Sequence, residues 1–231
     1  HPIHRPRPRG SVVTNTALLL DGRDWKQMIV AAADAVDEAV NELSRLDAAV
    51  GDGDHCVYVV TALGYARSEL AASGDLLPAE VLKTVARGFL DEMGGAAGAL
   101  FGSLFRVMAR SFGDTEQVDT PQLAEALTGG VETVMRRGQT SPGDKTMVDA
   151  LVPAAAAANE TGEAQLGVGE SLTAIAAAAR LGAESTTSMP ASRGRAKYAG
   201  DKAIGVADAG ATTVAIVLEA WAATAAERNG Q

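Results

Sequence analysis

Between Asp24 and His55 the chain reads DWKQMIVAAADAVDEAVNELSRLDAAVGDGDH, and two patterns meet in it. Over Asp24 to Leu46 the apolar positions Trp25, Ile29, Ala32, Val36, Val40 and Leu43 recur every three or four residues with charges between them, which predicts an amphipathic helix. Leu46 to His55 then crowds Asp47, Asp52 and Asp54 between two glycines and a histidine, just before a second helical period begins. Gly and Asp are also turn formers, so taken alone this is a turn. Carboxylates gathered so closely, however, are the hard oxygen ligands that suit Mg2+, an ion that keeps positions open for water and phosphates.

The helical period returns along the rest of the chain. It predicts helices at about His55 to Ala72, Ala79 to Met93, Ala97 to Phe112, Gln122 to Arg137, Thr146 to Asn159, Val168 to Glu184 and Ala211 to Glu227. Alanine is the best helix former and aromatic residues make up only 4% of the chain, so closely packed helices are favoured over a sheet. The expected fold is all-α, a single domain of eight helices.

The connectors alternate in character. The second, fourth and sixth, near Ser73 to Pro78, Gly113 to Pro121 and Thr161 to Gly167, are ordinary polar turns. The first is the acidic loop; the third is MGGAAGALFG from Met93, the fifth RGQTSPGDKTM from Arg137, and the seventh the long basic stretch from Met189 to Thr213. In an up-and-down bundle alternate connectors share one end, so the four dense loops converge on one face. That convergence favours a metal site over a simple turn at the acidic loop.

Each dense loop has a chemistry. The Gly94-Gly95 pair permits close backbone approach before a helix start, whose free N–H groups suit an anion; close helix packing is the alternative. The fifth connector ends Asp144-Lys145-Thr146, but Asp144 stands where a Walker phosphate loop needs glycine. Asp144 is expected to cap the next helix, and Lys145 either to touch a phosphate or to be solvated. The seventh connector concentrates Arg193, Arg195, Lys197 and Lys202 in an otherwise acidic chain, as the cationic half of a Mg-nucleotide site would.

Bulk properties narrow the class. A net charge of -9 excludes nucleic acid or an anionic membrane held by bulk electrostatics. No run of 18 apolar residues occurs, and the single Cys56 rules out an internal disulfide, so a soluble cytoplasmic protein is expected. Residues 1–17, with Pro alternating with Arg5, Arg7 and Arg9, are expected to be a disordered tail or linker remnant ahead of a domain over 18–231.

Four motifs in order, LDxxxGDGDH, GGxxGxLFG, PGDKTMxDALxP and GRAxYxG followed by DxGAT, make the chain resemble the L subunit of dihydroxyacetone kinases, also called the DhaL or DAK2 domain. The resemblance implies an eight-helix antiparallel barrel with ATP or ADP and two Mg2+ ions at one end. By it, Asp47, Asp52 and Asp54 hold the metals, and Arg195 joins them in catalysis. His55, Cys56, Val57, Tyr58, Ala96, Ala97, Gly138, Met147, Arg195, Asp208, Ala209 and Gly210 line the nucleotide.

It also implies a separate K subunit that carries the ketose on a histidine, so His55 is read as a nucleotide-site residue. The phosphate donor is either free ATP or ADP rephosphorylated by a phosphotransferase-system subunit. A homodimer is left open, as is the choice between dihydroxyacetone and a tetrulose such as erythrulose.

The chain departs from the family pattern at Cys56 and Tyr58, where Gly and Asn are usual, at Ala97 and Ala99, where Ser and Pro are common, and at Ala209, where Pro is usual. A non-catalytic, regulatory L-like module is the alternative those changes motivate.

Overall fold

The computed structural model describes residues 19–229, so the expected tail of residues 1–17 lies outside the described residues. The chain forms α1 (Gly22–Glu38), α2 (Val40–Val50), α3 (His55–Ala72), α4 (Pro78–Glu92), α5 (Gly95–Phe112), α6 (Thr120–Gly138), α7 (Val148–Glu163), α8 (Val168–Ser185) and α9 (Ala209–Asn229). The eighth and ninth are joined by 3-10 turns at Thr186–Ser188 and Arg195–Ala203.

The expected first helix is the pair α1 and α2. Ala39 departs from helical geometry, but its N–H still reaches Ala35 O and its carbonyl still receives Leu43 N–H, at 3.1 and 3.0 Å. The two therefore act as one rod, and the eight-helix architecture stands. One boundary differs from expectation: α2 runs past Leu46 to Val50, because Ala48, Ala49 and Val50 continue the helix until Gly51. Asp47 thus sits in a last helical turn rather than in the loop.

Each helix packs on the next, and α9 packs back on α1, closing the eight rods into a barrel. Both Trp and all four Phe of the chain meet inside it. Trp25 of α1 lies edge-on to Trp221 of α9, with ring centroids 5.2 Å apart, and Phe89 of α4 stacks between Phe101 and Phe105 of α5 at 5.0 and 5.6 Å. Elsewhere small residues set the spacing. A side chain on Gly182 of α8 would fall 2.2 Å from the Asp149 carbonyl of α7, so only glycine permits that approach.

A two-residue antiparallel ladder was not anticipated. In it β1 (Leu20–Asp21) pairs with β2 (Gln117–Val118), Leu20 opposite Val118, inside the fourth connector. The ladder ties the start of the described chain to the plain end of the barrel. Among the described residues, α9 alone is long and apolar enough to cross a membrane, and 67% of that window is buried in the barrel.

Candidate nucleotide and metal site

The acidic loop is shaped by its neighbours. Asp47 Oδ2 accepts the His55 N–H at 3.1 Å, folding the loop back on the end of α2. One carboxylate oxygen each from Asp47, Asp52 and Asp54 then lies within 4.8 Å of the other two. A carboxylate in the last turn of a helix faces the negative end of the helix dipole, and α2 has no basic residue there to offset it. Three anionic oxygens so placed repel one another unless a cation joins them. An all-oxygen donor set at a half-exposed site fits Mg2+.

Arg195 supplies the facing charge. It opens the second 3-10 turn, after Gly194 at φ 65°, and its Nη1 is paired with Asp52 and, at 2.9 Å, with Asp54. The first and seventh connectors also meet through His55, whose Nε2 is 3.0 Å from Thr213 Oγ1 in α9. Thr213 gives its one proton to the Ala209 carbonyl at 2.9 Å, so Nε2 carries the ring hydrogen in this contact. Burial pushes the imidazole below its usual pKa despite the neighbouring Asp47, which keeps the ring neutral at neutral pH.

The fifth connector docks under the seventh. Asp144 does not cap α7 as expected: it accepts the Ser141 N–H at 2.8 Å and the Ser192 hydroxyl, which holds its carboxyl below the usual range. The start of α7 is held instead by Asp149, its second residue, which reaches back to accept from Gly143 N and Thr146 N at 2.5 and 2.8 Å. The spacing Thr146-x-x-Asp149 was the sequence signal for it. Lys145 is neither solvated nor open to a phosphate. It is 1% exposed and donates to the carbonyls of Thr186, Met189 and Val206.

The Asp208 turn is built on the same floor. Its N–H donates to Thr186 Oγ1 at 2.8 Å, and its Oδ2 accepts from Ala211 N at 2.7 Å, capping α9. Burial pushes the Asp208 carboxyl up to about 6, with the Ala211 hydrogen bond working against it. Gly210 faces Met147, since a Cβ there would lie 3.6 Å from Met147 Cβ.

The remaining residues sit less uniformly. Cys56 is fully buried in the core, and burial raises its thiol pKa, so only its backbone is available to a ligand. Val57 and Tyr58 are exposed, at 61% and 37%. Ala96 is exposed and Ala97 half-buried at the start of α5, where the N-cap Gly94 offers no side-chain hydrogen bond. Gly138 lies against Leu100 of α5, joining the third and fifth connectors. Thr186, Ser192, Thr213 and Asp149 complete the arrangement and were not singled out from the sequence.

Comparison with known proteins places this geometry in a family. The DAK2 domain profile matches residues 49–223. The PEP-dependent dihydroxyacetone kinase, ADP-binding subunit DhaL, of Escherichia coli K12 is 34% identical over 185 residues, 80% of this chain and 88% of that protein. The L-erythrulose kinase of Pectobacterium atrosepticum is 33% identical over 201 residues, 84% of this chain but only 33% of that longer protein. The crystal structure of the dihydroxyacetone kinase from C. freundii in complex with AMP-PNP and Mg2+ has a TM-score of 0.69 at 24% identity, covering 96% of this chain and 38% of that one, which shows a shared fold. Matched by the profile over most of its length and by a subunit relative over most of both chains, the chain belongs to the DAK2 domain family.

Proposed function

We propose that this chain is the nucleotide-binding, phosphoryl-transferring part of a kinase for dihydroxyacetone or a similar short-chain ketose, with the sugar presented by a separate K-type subunit. The observation that carries the reading is the triad of Asp47, Asp52 and Asp54 oxygens within 4.8 Å of one another, faced by Arg195. Relatives named for dihydroxyacetone and for erythrulose support a C3 or C4 ketose as acceptor.

In this reading Asp47, Asp52 and Asp54 would hold two Mg2+ ions, which would supply positive charge to offset that on the transferring phosphoryl group. The chain's own residues position the reactants. Arg195 swings from its carboxylate partners to the phosphates, where a guanidinium makes paired contacts. The free N–H groups at the start of α5, beside Ala96 and Ala97, receive an anionic oxygen. His55, neutral and fixed by Thr213, shapes the wall without forming a covalent bond. Backbone of Cys56, together with Val57, Tyr58, Gly138, Met147 and the Asp208-Ala209-Gly210 turn, lines the nucleoside.

Exposed Tyr198 and Ile204 lie on the loop that borders the site and suit a docked K subunit. A cytoplasmic location is consistent with the lone, unpaired Cys56. The exchange rate of Mg-nucleotide separates free ATP as the donor from held ADP recharged by a phosphotransferase-system subunit; the E. coli relative is named PEP-dependent and ADP-binding.

The test is calorimetry with Mg-ATP and Mg-ADP, followed by a coupled phosphorylation assay with a K subunit over C3 and C4 ketoses. Binding of neither nucleotide would sink the kinase. Binding without transfer, with the missing hydroxyl at Ala97 and the bulk at Tyr58, would favour a non-catalytic regulatory module.

A further inference from the structure

Lys145 is a charged side chain whose burial the proposed transfer chemistry does not explain. Its ammonium has three protons, and each finds a carbonyl: Thr186 O at 2.5 Å, Met189 O at 3.2 Å and Val206 O at 2.6 Å. Its backbone is held at φ 61°, a left-handed conformation that a lysine adopts only when its surroundings impose it.

The three acceptors are not neighbours in sequence. Thr186 and Met189 begin the long seventh connector and Val206 ends it, so the ammonium closes the neck of an Ω-shaped loop. Gly205 N donating to Thr187 O at 2.7 Å and Asp208 N to Thr186 Oγ1 at 2.8 Å seal the same neck. Beyond it the loop is mostly exposed, with buried anchors only at Ala196 and Ala203 among its described residues. Arg195 lies at the far side of that loop, on Asp52 and Asp54. Long loops with few buried contacts open readily, so where the neck is fixed decides how often Arg195 is in place.

We infer that Lys145 is a positioning residue for the nucleotide site: by tying both ends of the 186–206 loop to the fifth connector, it holds Arg195 and the Asp208 turn in register with the acidic triad. The inference rests on the nucleotide-site reading for its effect on binding, but the loop closure itself stands on the hydrogen bonds alone.

The experiment compares wild type with Lys145→Met, which keeps the length and apolar stem but removes all three donors, and Lys145→Gln, which keeps a shorter donor. Trypsin cleavage after Arg193, Arg195, Lys197 or Lys202 reports loop opening, and calorimetry reports Mg-ADP affinity. Lys145→Met should speed cleavage within the loop about tenfold and weaken Mg-ADP about tenfold, while amide exchange in α1 to α6 stays as in wild type.

In an Arg195→Ala background the further loss of affinity from Lys145→Met should shrink from about tenfold to about twofold, because only the Asp208 turn is then left for the lysine to position. Full additivity in that cycle, or cleavage and affinity both unchanged in the single variant, would overturn the inference. So would global loss of protection in both the Met and the Gln variants, which would make Lys145 a residue of the core. If wild type itself binds no Mg-nucleotide, the kinase reading fails, and cleavage rates still decide whether Lys145 closes the loop.

Discussion

The two ends of the barrel differ in how completely they satisfy their helix starts. At the plain end, α1 begins on Asp21, which accepts from Arg23 and Asp24 N–H groups, and α6 on Asp119, which accepts from Gln122 N. There, too, Glu80 and Glu170 reach back to the N–H groups of Leu77 and Gly167 before α4 and α8. At the dense end, the N-cap residues of α3, α5 and α7, which are Asp54, Gly94 and Met147, make no side-chain capping bond. Asp208 caps α9 there, and Asp47 and Asp149 accept the His55 and Thr146 N–H groups at the starts of α3 and α7, so that of the helices starting at this end α5 alone begins with no side-chain acceptor.

A helix start needs partners for its N–H groups, and the plain end supplies them internally. The dense end leaves part of that demand open, next to three carboxylates that need a cation. An anion and a cation together, as in a metal-bound polyphosphate, satisfy both. Under the proposed function the barrel separates stability and binding between its two rims.

The largest effect that would break this comparison is at the triad. Asp52→Ala or Asp54→Ala should lower phosphoryl transfer by about two to three orders of magnitude with the melting curve little changed. Near-normal transfer in a coupled assay at ordinary Mg2+ concentration would show that the acidic rim is not the metal site.

Giving the dense end a plain-end cap sharpens the contrast. Gly94 has extended backbone at φ −72° and ψ 170°, and a Cβ there meets nothing within 4 Å, so Gly94→Asp should be accepted as an N-cap. Its carboxylate would compete with phosphate for the α5 N–H groups. Mg-ADP affinity should fall about tenfold in calorimetry while stability rises by a few tenths of a kcal/mol. Unchanged affinity would remove the α5 start from the site. The reciprocal change, Asp119→Ala at the plain end, should cost about 1 kcal/mol in urea denaturation and leave Mg-ADP affinity as it was.

The smallest effect is in pH. The Asp208 carboxyl is raised from 3.8 to about 6 in the fold, so the native state holds a proton that the unfolded chain has already released. Its contribution to stability therefore falls as pH rises from about 4 to about 6 and is flat beyond. Asp208→Asn, measured without metal, should remove that part of the stability slope; an unaltered slope would mean that the carboxylate titrates normally.

The helical period of 24–46 and the alternation of plain and dense connectors were legible because both are local. One follows from the turn of the helix, the other from which residues sit between helices. The acidic triad was legible for the same reason, since Asp47, Asp52 and Asp54 lie within one short stretch. The hydrogen bond that Asp149 returns to Thr146 at the start of α7 was also within reach of local reasoning, through their spacing.

What the sequence alone determined, then, was the helical barrel, the end that carries chemistry and the residue types gathered there. Tertiary structure decided which of those side chains face the open rim and which are tied up within it. Cys56 turned its thiol into the core, Asp144 bonded Ser192 across 48 positions instead of capping its own helix, and Lys145 spent its charge on carbonyls 41 to 61 positions away. Such partners are set by how loops from different helices stack at one end of the barrel. No periodicity or spacing along a single segment carries that information, because hydrogen bonds between connectors depend on the closed ring of helices that brings them together.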